Sequence, residues 1–498
     1  MEAIEIIETL YDANIYGEPI EQKKIKNLTN DTRQVTSHSA FIAIRGERFD
    51  GHQAIEEVVK KGATVVVVEE LPVQWQTLPV TFVVVQSTQR AQAALANRFY
   101  DEPSMKLDVI AVTGTNGKTT VSSMISDLLI NLGHKTGMIG TLHYKVGDKT
   151  YPAVNTTPHS LALQSLFYEM TEEACDTAVI EASSHALELG RLWFTDIDCA
   201  IFTNLTREHL DYHQTMERYA YAKRLLFAQL GQQFKDHRPK LAIINEDDPY
   251  ASLMSQGTSA TILTFSHTNP RATVYCKNIE HSIAGMTFDL VYRTEQYTVF
   301  LPMSGEYNVS NYMAAFLCLT NYYGYSPNEV LKATESFTGV KGRMQTIQVG
   351  QPFEAIVDFA HTTDAIQNVL EELKTRKTNH LIVLFGHSGG NRDSGARPEF
   401  GDILFNYADK IVFTADNPRN EPVEKIWQEM IRHHDEKPFW TIEDRAKAIE
   451  HAISIAESND IILFAGKGGE GVQIIGDIEY PYDEAKIVEE TLRKYYSQ

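Results

Sequence analysis

The stretch VIAVTGTNGKTTVSSMISDLL, Val109 to Leu129, decides how the chain is read. Val109 to Thr113 is an apolar, largely β-branched run that fits a buried strand, and Val121 to Leu129 carries apolar residues at helical spacing. Between them the chain passes Gly114, Thr115, Asn116 and Gly117 and opens the helix on Lys118, Thr119 and Thr120. A glycine-containing loop of this kind lets backbone N–H groups close on phosphate oxygens. The helix N-terminus adds positive potential, the lysine a mobile charge, and Thr119 a hydroxyl for magnesium. The spacing departs from the common GxxxxGK[ST], because Val112 stands five before Gly117 and the nearer glycine is Gly114. The Lys-Thr-Thr that follows favours an ATP triphosphate site over a glycine turn that merely joins strand to helix.

Outward from this stretch, short apolar runs alternate with longer helical patterns almost throughout, which predicts an α/β fold with mainly parallel sheets. Strands are expected at Ala40 to Ile44, Ala63 to Glu69 and Val80 to Val85, before a polar stretch at Asp101 to Lys106. A second block opens at Leu107 to Thr113. It continues with strands at Thr177 to Glu181, Ala200 to Thr203, Leu241 to Ile244 and Thr261 to Phe265, then a helix from near Asn308. It ends around Ser336 to Gly342. The third block holds AIVDFAH (355–361), LIVLFGHSGGNRD (381–393), KIVFTADNPR (410–419) and IILFAGKGGE (461–470). In an open parallel sheet, ligands sit beyond the carboxyl ends of the strands, so these four turns are expected to share one site. The division is 1–105, 106–337 and 338–498, in keeping with roughly three domains for this length.

Of the 498 residues, 43% are hydrophobic and 22% charged, so the chain can bury substantial cores. The formal charge of -21, with no basic run to offset it, argues against nucleic acid as a partner. Four dispersed cysteines, Cys175, Cys199, Cys276 and Cys318, suit a reducing compartment. The start MEAIEIIETLYDAN lacks a signal-peptide pattern, and no apolar run approaches the roughly 18 residues that span a bilayer. A soluble, cytoplasmic protein without membrane insertion is expected.

If Thr177 to Ile180 lies in the same sheet as the phosphate loop, Glu181 reaches its carboxyl edge, where it could take magnesium. EASSHALELGR (181–191) then offers Ser183, Ser184, His185 and Arg191. NLTREHLDYH (204–213) brings Glu208, His209, Asp211 and His213 to the same edge. Taken singly, Glu181 could cap a helix and the histidines could be surface residues. Their placement after successive strands favours function.

Together these segments resemble the Mur ligases, most closely the branch that adds the third residue of the peptidoglycan stem peptide. TGTNGKTT, NTTP (155–158), EASSHAL, FTNLTREHLDYH, GEYNVSN (305–311), KGRMQ (341–345), DFAHTTDA (358–365), DNPR (416–419) and AGKGGE (465–470) occur in that family's order, from DTR (31–33) to about Gln473. The resemblance implies an N-terminal uridine-nucleotide domain, a central P-loop ATPase domain and a C-terminal Rossmann-like domain that receives the amino acid. It also implies small-molecule substrates, ATP and Mg2+ as cofactors, and a monomer. The implied reaction is phosphorylation of the terminal carboxylate of UDP-N-acetylmuramoyl-L-alanyl-D-glutamate by ATP, followed by attack of an amine on the acyl phosphate. A free carboxylate is a poor electrophile and the acyl phosphate supplies a leaving group, so alignment and charge screening suffice.

The same resemblance assigns residues. Lys118 and Thr119 would serve the phosphates and magnesium, with Glu181 and His209 as metal ligands. Lys223 in YAYAKRLLFAQL (219–230) matches a lysine that the family carries as a carbamate, which turns a cation into an oxygen ligand; the alternative is a helix-surface lysine. Asn308 and Asn311 match adenine-side positions, and Arg343, Asp358 and His361 match groups brought in when the C-terminal domain closes over ATP. Asn155, Thr156, Thr157, Ser183 and Arg191 match positions for the muramoyl-dipeptide, and Thr32 and Arg48 positions for the uridine diphosphate.

DNPR resembles the signature of enzymes that take meso-diaminopimelate. Arg419 would clamp the distal carboxylate, Glu470 would pair with the ammonium, and Arg392, Asp416, Asn417, Pro418 and Gly466 would complete the set. Departures from the family pattern are Asn391 in GGNRD, Gly469 in GKGGE, Lys341 and Gln345 in KGRMQ, Thr363 in DFAHTT, and YPYDEAK (480–486) for a late FDDRE-like segment. These could retune the amino acid accepted. Readings left open are the cell-wall ligase, a paralogue that makes a related amide in another pathway, and a non-ligating nucleotide-binding regulator. A folate-type polyglutamate ligase is disfavoured by the DTR...RGERFDGH block and by DNPR.

Overall fold

The five strand runs of the second block lie side by side in the central of three large sheets. The structure is a computed structural model that describes residues 1–46, 49–232, 234–235, 237–282, 285–390 and 394–496. In the central, eleven-stranded sheet, seven parallel strands run in the order Val274–Ser282, Thr261–Ser266, Leu241–Asn245, Cys199–Phe202, Asp108–Thr113, Thr177–Glu181 and Thr136–Ile139. Antiparallel strands extend both edges: Gly285–Tyr292 and Glu295–Leu301 on one side, His143–Val146 and Lys149–Pro152 on the other.

The inner strands read as unbroken apolar runs because both sheet faces are covered. Ile110 and Val112 pack with Val121, Met124 and Ile125 of helix Lys118–Asn131 and with Val309 and Tyr312 of helix Glu306–Asn321. Val109 and Ala111, pointing the other way, pack with Leu163 and Phe167 of helix Ser160–Glu172 and with Tyr219 and Phe227 of helix Met216–Ala228. The register sets the carboxyl edge: Glu181 pairs with Val112, and Phe202 with Thr113. The loops after 113, 181 and 202 therefore leave the sheet side by side.

The first sheet has the order Asn14–Gly17, Thr81–Val84, Ala63–Val68, Ser39–Ile42, Asn27–Thr29, parallel except at Asn14–Gly17. Gln92 joins it to the central layer, accepting from Asn30 Nδ2 at 2.8 Å and donating to Ser160 Oγ at 3.1 Å. The third sheet runs Gln345–Thr346, Glu354–Asp358, Ile461–Ala465, Leu381–Phe385, Lys410–Phe413, Phe439–Thr441. Asp358, Ala465, Phe385 and Phe413 stand level in it, so the four glycine-rich or polar turns leave one edge. Arg445 ties two of these strand ends together. It donates to the carbonyls of Ala415 (3.2 Å) and Ala465 (2.8 Å) and forms a fully buried pair with Glu484, Nη2 to Oε1 2.6 Å.

The expected strands are found with ends shifted by a residue or two. Not anticipated were the parallel strands Asn27–Thr29, Thr136–Ile139, Val274–Ser282 and Phe439–Thr441, the antiparallel edge strands, and the hairpin Val472–Ile475 and Ile478–Pro481; most are short or carry exposed polar positions that blur the apolar signal. Between the second and third sheets, Gly342 (φ +65°) lies directly on the turn 466–470. A Cβ there would sit 2.0 Å from Gly469 N, so no other residue fits without displacing backbone. All four cysteines are buried and free.

Breaking a buried ion pair from one side leaves an uncompensated charge. Glu484→Ala is expected to cost the C-terminal unit about 3–5 kcal/mol in urea unfolding, and Arg445→Met in the same chain is expected to recover a substantial part of it.

Candidate active site

The loop 114–117 is held from below by the neighbouring strand end. Thr115 N donates to Asn204 O (2.8 Å), Asn116 N to Asn204 Oδ1 (2.9 Å), and Thr203 Oγ1 to Asn116 O (2.6 Å). Gly114 and Gly117 both have positive φ. A Cβ would meet Thr203 Oγ1 at 1.9 Å from Gly114 and Asn311 Oδ1 at 2.6 Å from Gly117, so the loop requires glycine twice. The first internal bond of the following helix is Val121 N to Gly117 O, which leaves the N–H groups of its first turn ahead of the ladder, including those of Thr119 and Thr120. Asn311 donates to Asn308 Oδ1 at 2.9 Å, which places this buried pair beside Gly117.

Two ammonium groups converge on one carbonyl: Lys118 Nζ donates to Gly114 O at 2.8 Å and Lys223 Nζ to the same oxygen at 2.7 Å. Burial pushes both lysines down from their usual range. The Lys118 charge pushes Lys223 further, to well below it, while Glu208 opposes both shifts. Glu208 is itself held below the usual carboxylate range: burial raises it, but His209, Lys118, His361 and Lys223 outweigh burial. Such an excess of desolvated positive charge suits anionic oxygen.

Glu181 Oε2 accepts from Thr119 Oγ1 and Thr141 Oγ1, both at 3.0 Å, and Oε1 accepts from Thr141 N at 2.9 Å. These hard oxygens at the mouth of the loop fit magnesium, an ion bound through one or two carboxylates with substrate phosphates and water. Among the described residues no group of three His, Cys, Asp or Glu side chains could hold a metal by itself. His209 lies close by, Nε2 at 3.6 Å from Glu208 Oε1 and its ring centroid 4.9 Å from that of His185.

Arg343 enters from the segment before the third sheet and donates Nη2 to Thr119 Oγ1 at 3.2 Å, with its guanidinium 4.3 Å over the Phe359 ring. Burial lowers its pKa, opposed first by Asp358 and then by Glu181. Its Nε is buried without a hydrogen-bond partner, a donor still open to an anion. Asp358 is spent on backbone, accepting from Met344 N (2.6 Å) and Ala360 N (2.8 Å), and His361 is exposed. Asp364 reaches back to the phosphate loop, accepting from Asn116 Nδ2 (2.9 Å) and Thr206 Oγ1 (3.0 Å).

On the far side of Glu181, Thr156 Oγ1 lies 3.1 Å from Thr141 Oγ1. Thr157 Oγ1 donates to Glu181 O (2.6 Å) and accepts from Ser183 N (3.1 Å), and Arg191 Nη1 donates to Thr157 O (2.7 Å). Arg191 Nε is buried without a hydrogen-bond partner, a second open donor. Asn155 is exposed, its backbone bonded to Tyr144 OH. Thr32 lies apart in the short helix Thr32–Gln34, where its carbonyl accepts from Lys61. Arg48 and Arg392 lie outside the described residues.

At the third sheet, Arg419 (φ +51°) donates Nη1 to Gly389 O at 3.1 Å and follows Pro418 at the end of the DNPR turn. Asn417 Nδ2 donates to Glu470 Oε2 at 3.2 Å, Ser388 Oγ to Asp416 Oδ2 at 2.5 Å, and Gly466 (φ +101°) makes the turn after the strand. Lys467 bonds Asn417 and Glu470. Sequence reasoning missed Thr141, Asp364, Ser388 and Lys467. Thr141 and Ser388 follow apolar strands as polar turn residues do anywhere, whereas Lys467 stood inside a quoted turn and was readable there.

Fold and site define an enzyme that handles a phosphorylated nucleotide at the edge of a parallel sheet and completes its site from a following domain. Three family models match along the chain: "Mur ligase family, catalytic domain" at residues 24–100, "Mur ligase middle domain" at 112–319 and "Mur ligase, glutamate ligase domain" at 342–468. The chain belongs to the Mur ligase family. It is 38% identical over 496 residues to a UDP-N-acetylmuramoyl-L-alanyl-D-glutamate--2,6-diaminopimelate ligase of Oceanobacillus iheyensis, covering 99% of each chain. To the enzyme of the same name from Listeria monocytogenes serovar 1/2a it is 41% identical, covering 94% of each. A solved structure bearing that enzyme name superposes with a TM-score of 0.70 at 30% identity, covering 99% of both chains. Among the described residues no helix is long and apolar enough to cross a membrane.

His185 and His213 lie near His209, with tilted rings whose centroids are 5.3 Å apart, and are both pushed down to about 4, by burial first and then by His209. An unfolded histidine takes its proton near pH 6.5, so between about 6.5 and about 4 the unfolded chain binds more protons and stability falls as pH falls. Melting temperature is expected to drop on acidification through that window, and less steeply in the His185→Gln, His213→Gln double variant, by calorimetry.

Proposed function

We propose that the chain is an ATP-dependent amide ligase that adds meso-2,6-diaminopimelate to UDP-N-acetylmuramoyl-L-alanyl-D-glutamate through an acyl phosphate, a step of peptidoglycan precursor synthesis in the cytoplasm. The observation that carries it is Arg343, whose guanidinium bonds Thr119 at the phosphate loop while the glycine before it packs on the 466–470 turn of the third sheet. A single segment thus links the place where a carboxylate is energised to the place where an amine arrives.

In this reading residues 1–105 hold the uridine nucleotide, with Thr32 and Arg48. Residues 106–337 hold ATP and the peptide end of the substrate, and residues 338–498 hold the amino acid. N–H groups from Gly114 to Thr120 cradle the triphosphate, Lys118 leaves the Gly114 carbonyl for phosphate oxygen, and Asn308 and Asn311 flank the purine. Asp358 keeps the 343–344 and 360 turns in shape, which presents Arg343 and His361 to the nucleotide. Arg191, with its open Nε, grips the dipeptide beside Asn155, Thr156, Thr157 and Ser183. The substrate carboxylate then lies near Glu181 and the loop, aligned with the transferring phosphoryl group.

Thr119, Glu181 and His209 would hold magnesium, and Lys223 would do so as its carbamate. Burial, and then the Lys118 charge, push the Lys223 pKa well below its usual range, a shift toward the neutral amine that adds carbon dioxide. Bound there, the ion screens the charge that develops on the phosphoryl oxygens. Arg419 and Arg392 clamp the distal carboxylate of the amino acid, and Glu470 takes its ammonium. Asp416, Asn417, Pro418 and Gly466 shape the turns that carry them.

Purified chain, ATP, magnesium, the UDP-muramoyl dipeptide and a panel of amino acids test this through ADP release and product mass. ADP release is expected only when diaminopimelate is present. ADP without acceptor dependence sinks the ligase, and turnover with lysine but not diaminopimelate sinks the role of Arg419. Lys118→Ala is expected to lower kcat/KM by roughly 10²-fold or more. Lys223→Ala is expected to fall as far and to recover in part when formate or acetate supplies the missing oxygens, an effect absent in Lys118→Ala.

A further inference from the structure

Lys467 has no role in the scheme above. It is fully buried; its ammonium donates to Asn417 Oδ1 at 2.6 Å and Glu470 Oε2 at 2.8 Å and forms an ion pair with Asp416 Oδ1 at 3.3 Å. The ammonium is thus enclosed by protein groups, with two carboxylates and an amide oxygen around it. A buried lysine is costly unless paired, and the acceptors that pair it lie on two turns far apart in sequence, 416–417 and 467–470. Lys467 therefore acts on the pocket through what it holds.

What it holds is specific. Asn417 is fixed at three points, since its Oδ1 also accepts from Ile474 N at 2.9 Å and its Nδ2 donates to Glu470 Oε2 at 3.2 Å. Asp416 is fixed from its other oxygen by Ser388 and from its carbonyl by Gln473 Nε2 at 3.0 Å. On Glu470 both bonds fall on Oε2, and no described residue donates to Oε1. The carboxylate is thus oriented, with one oxygen engaged and the other presented. Without Lys467, two carboxylates would face the same small space with no cation between them.

We propose that Lys467 is a positioning residue for the amino-acid substrate: it locks Glu470 so that Oε1 meets the ammonium at the acceptor's distal end, and it ties the DNPR turn to the 466–470 turn so that Arg419 and Glu470 keep a fixed separation. This rests on the assignment of that pocket to the amino acid. A zwitterionic end group needs both charges at a set spacing, and a carboxylate free to rotate would forfeit part of that match.

The test is steady-state kinetics of the full chain with ATP, magnesium, the UDP-muramoyl dipeptide and whichever amino acid the wild type uses. For Lys467→Met the amino-acid KM is expected to rise roughly 10- to 100-fold while the KM values for ATP and the UDP-substrate stay within about twofold. Lys467→Arg, which keeps the charge but displaces it, should show the same pattern with a smaller rise, and it carries the test if the methionine variant does not fold. In a Glu470→Gln background Lys467→Met should add less than about threefold, because both changes remove one interaction. An unchanged amino-acid KM, an equal rise in all three KM values, or effects that multiply in the double variant would each overturn the proposal. A wild-type chain that ligates no amino acid overturns the function proposed above, and this inference with it; a wild type that ligates normally beside an indifferent Lys467→Met overturns the inference alone.

Discussion

Two buried ammonium groups sharing one carbonyl oxygen are an imbalance that the rest of the structure is arranged around. Lys118 and Lys223 both lean on Gly114, and the carboxylate of Glu208 does not offset both. Desolvated positive charge of this kind is tolerable because the fold gives it a boundary: strand ends at Thr113, Glu181 and Phe202 stand level, and the two glycines let the loop close over Thr203 and Asn311. Binding energy for a polyanion is thus stored in the fold before any ligand arrives, as preorganised electrostatics requires.

The third sheet completes this site from outside. Arg343 reaches Thr119, and Asp364 takes hydrogen bonds from Asn116 and Thr206, so the phosphate loop touches the following domain at two points of opposite charge. Asn116 is suited to this because its backbone is already pinned by Asn204 and Thr203, which leaves only its side chain to reach across.

Most of the inner parallel strands and the phosphate loop were legible in the sequence because they join a strong periodic signal to an unusual one: β-branched runs buried on both faces, then glycine and Lys-Thr-Thr. The outer strands were not, since Val274–Ser282 and the hairpin Val472–Ile475 and Ile478–Pro481 face solvent along much of their length and carry mixed polarity. Of the candidate site, Glu181, Lys118, Thr119 and Arg343 were readable as residues at strand ends or in motifs, and the structure joins Arg343, Thr119 and Glu181 in one hydrogen-bonded series. Thr141 and Asp364 were not, because their roles depend on which loop the fold sets opposite them. Lys467 was overlooked for the opposite reason. It stood in a motif already read, and only its burial and its two hydrogen bonds and ion pair separate it from a solvent-exposed turn lysine.

Gly342 packs against Gly468 and Gly469 with no side chain between the two backbones. Packed side chains form the cushion by which neighbouring segments usually absorb small displacements, each rotamer giving a few tenths of an ångström. That cushion is missing here. Main chain bears on main chain, so a tilt of the connecting segment is passed undamped to the turn that bears Lys467 and Glu470, and the swing of one lobe and the shape of the pocket on the next become a single mechanical coordinate.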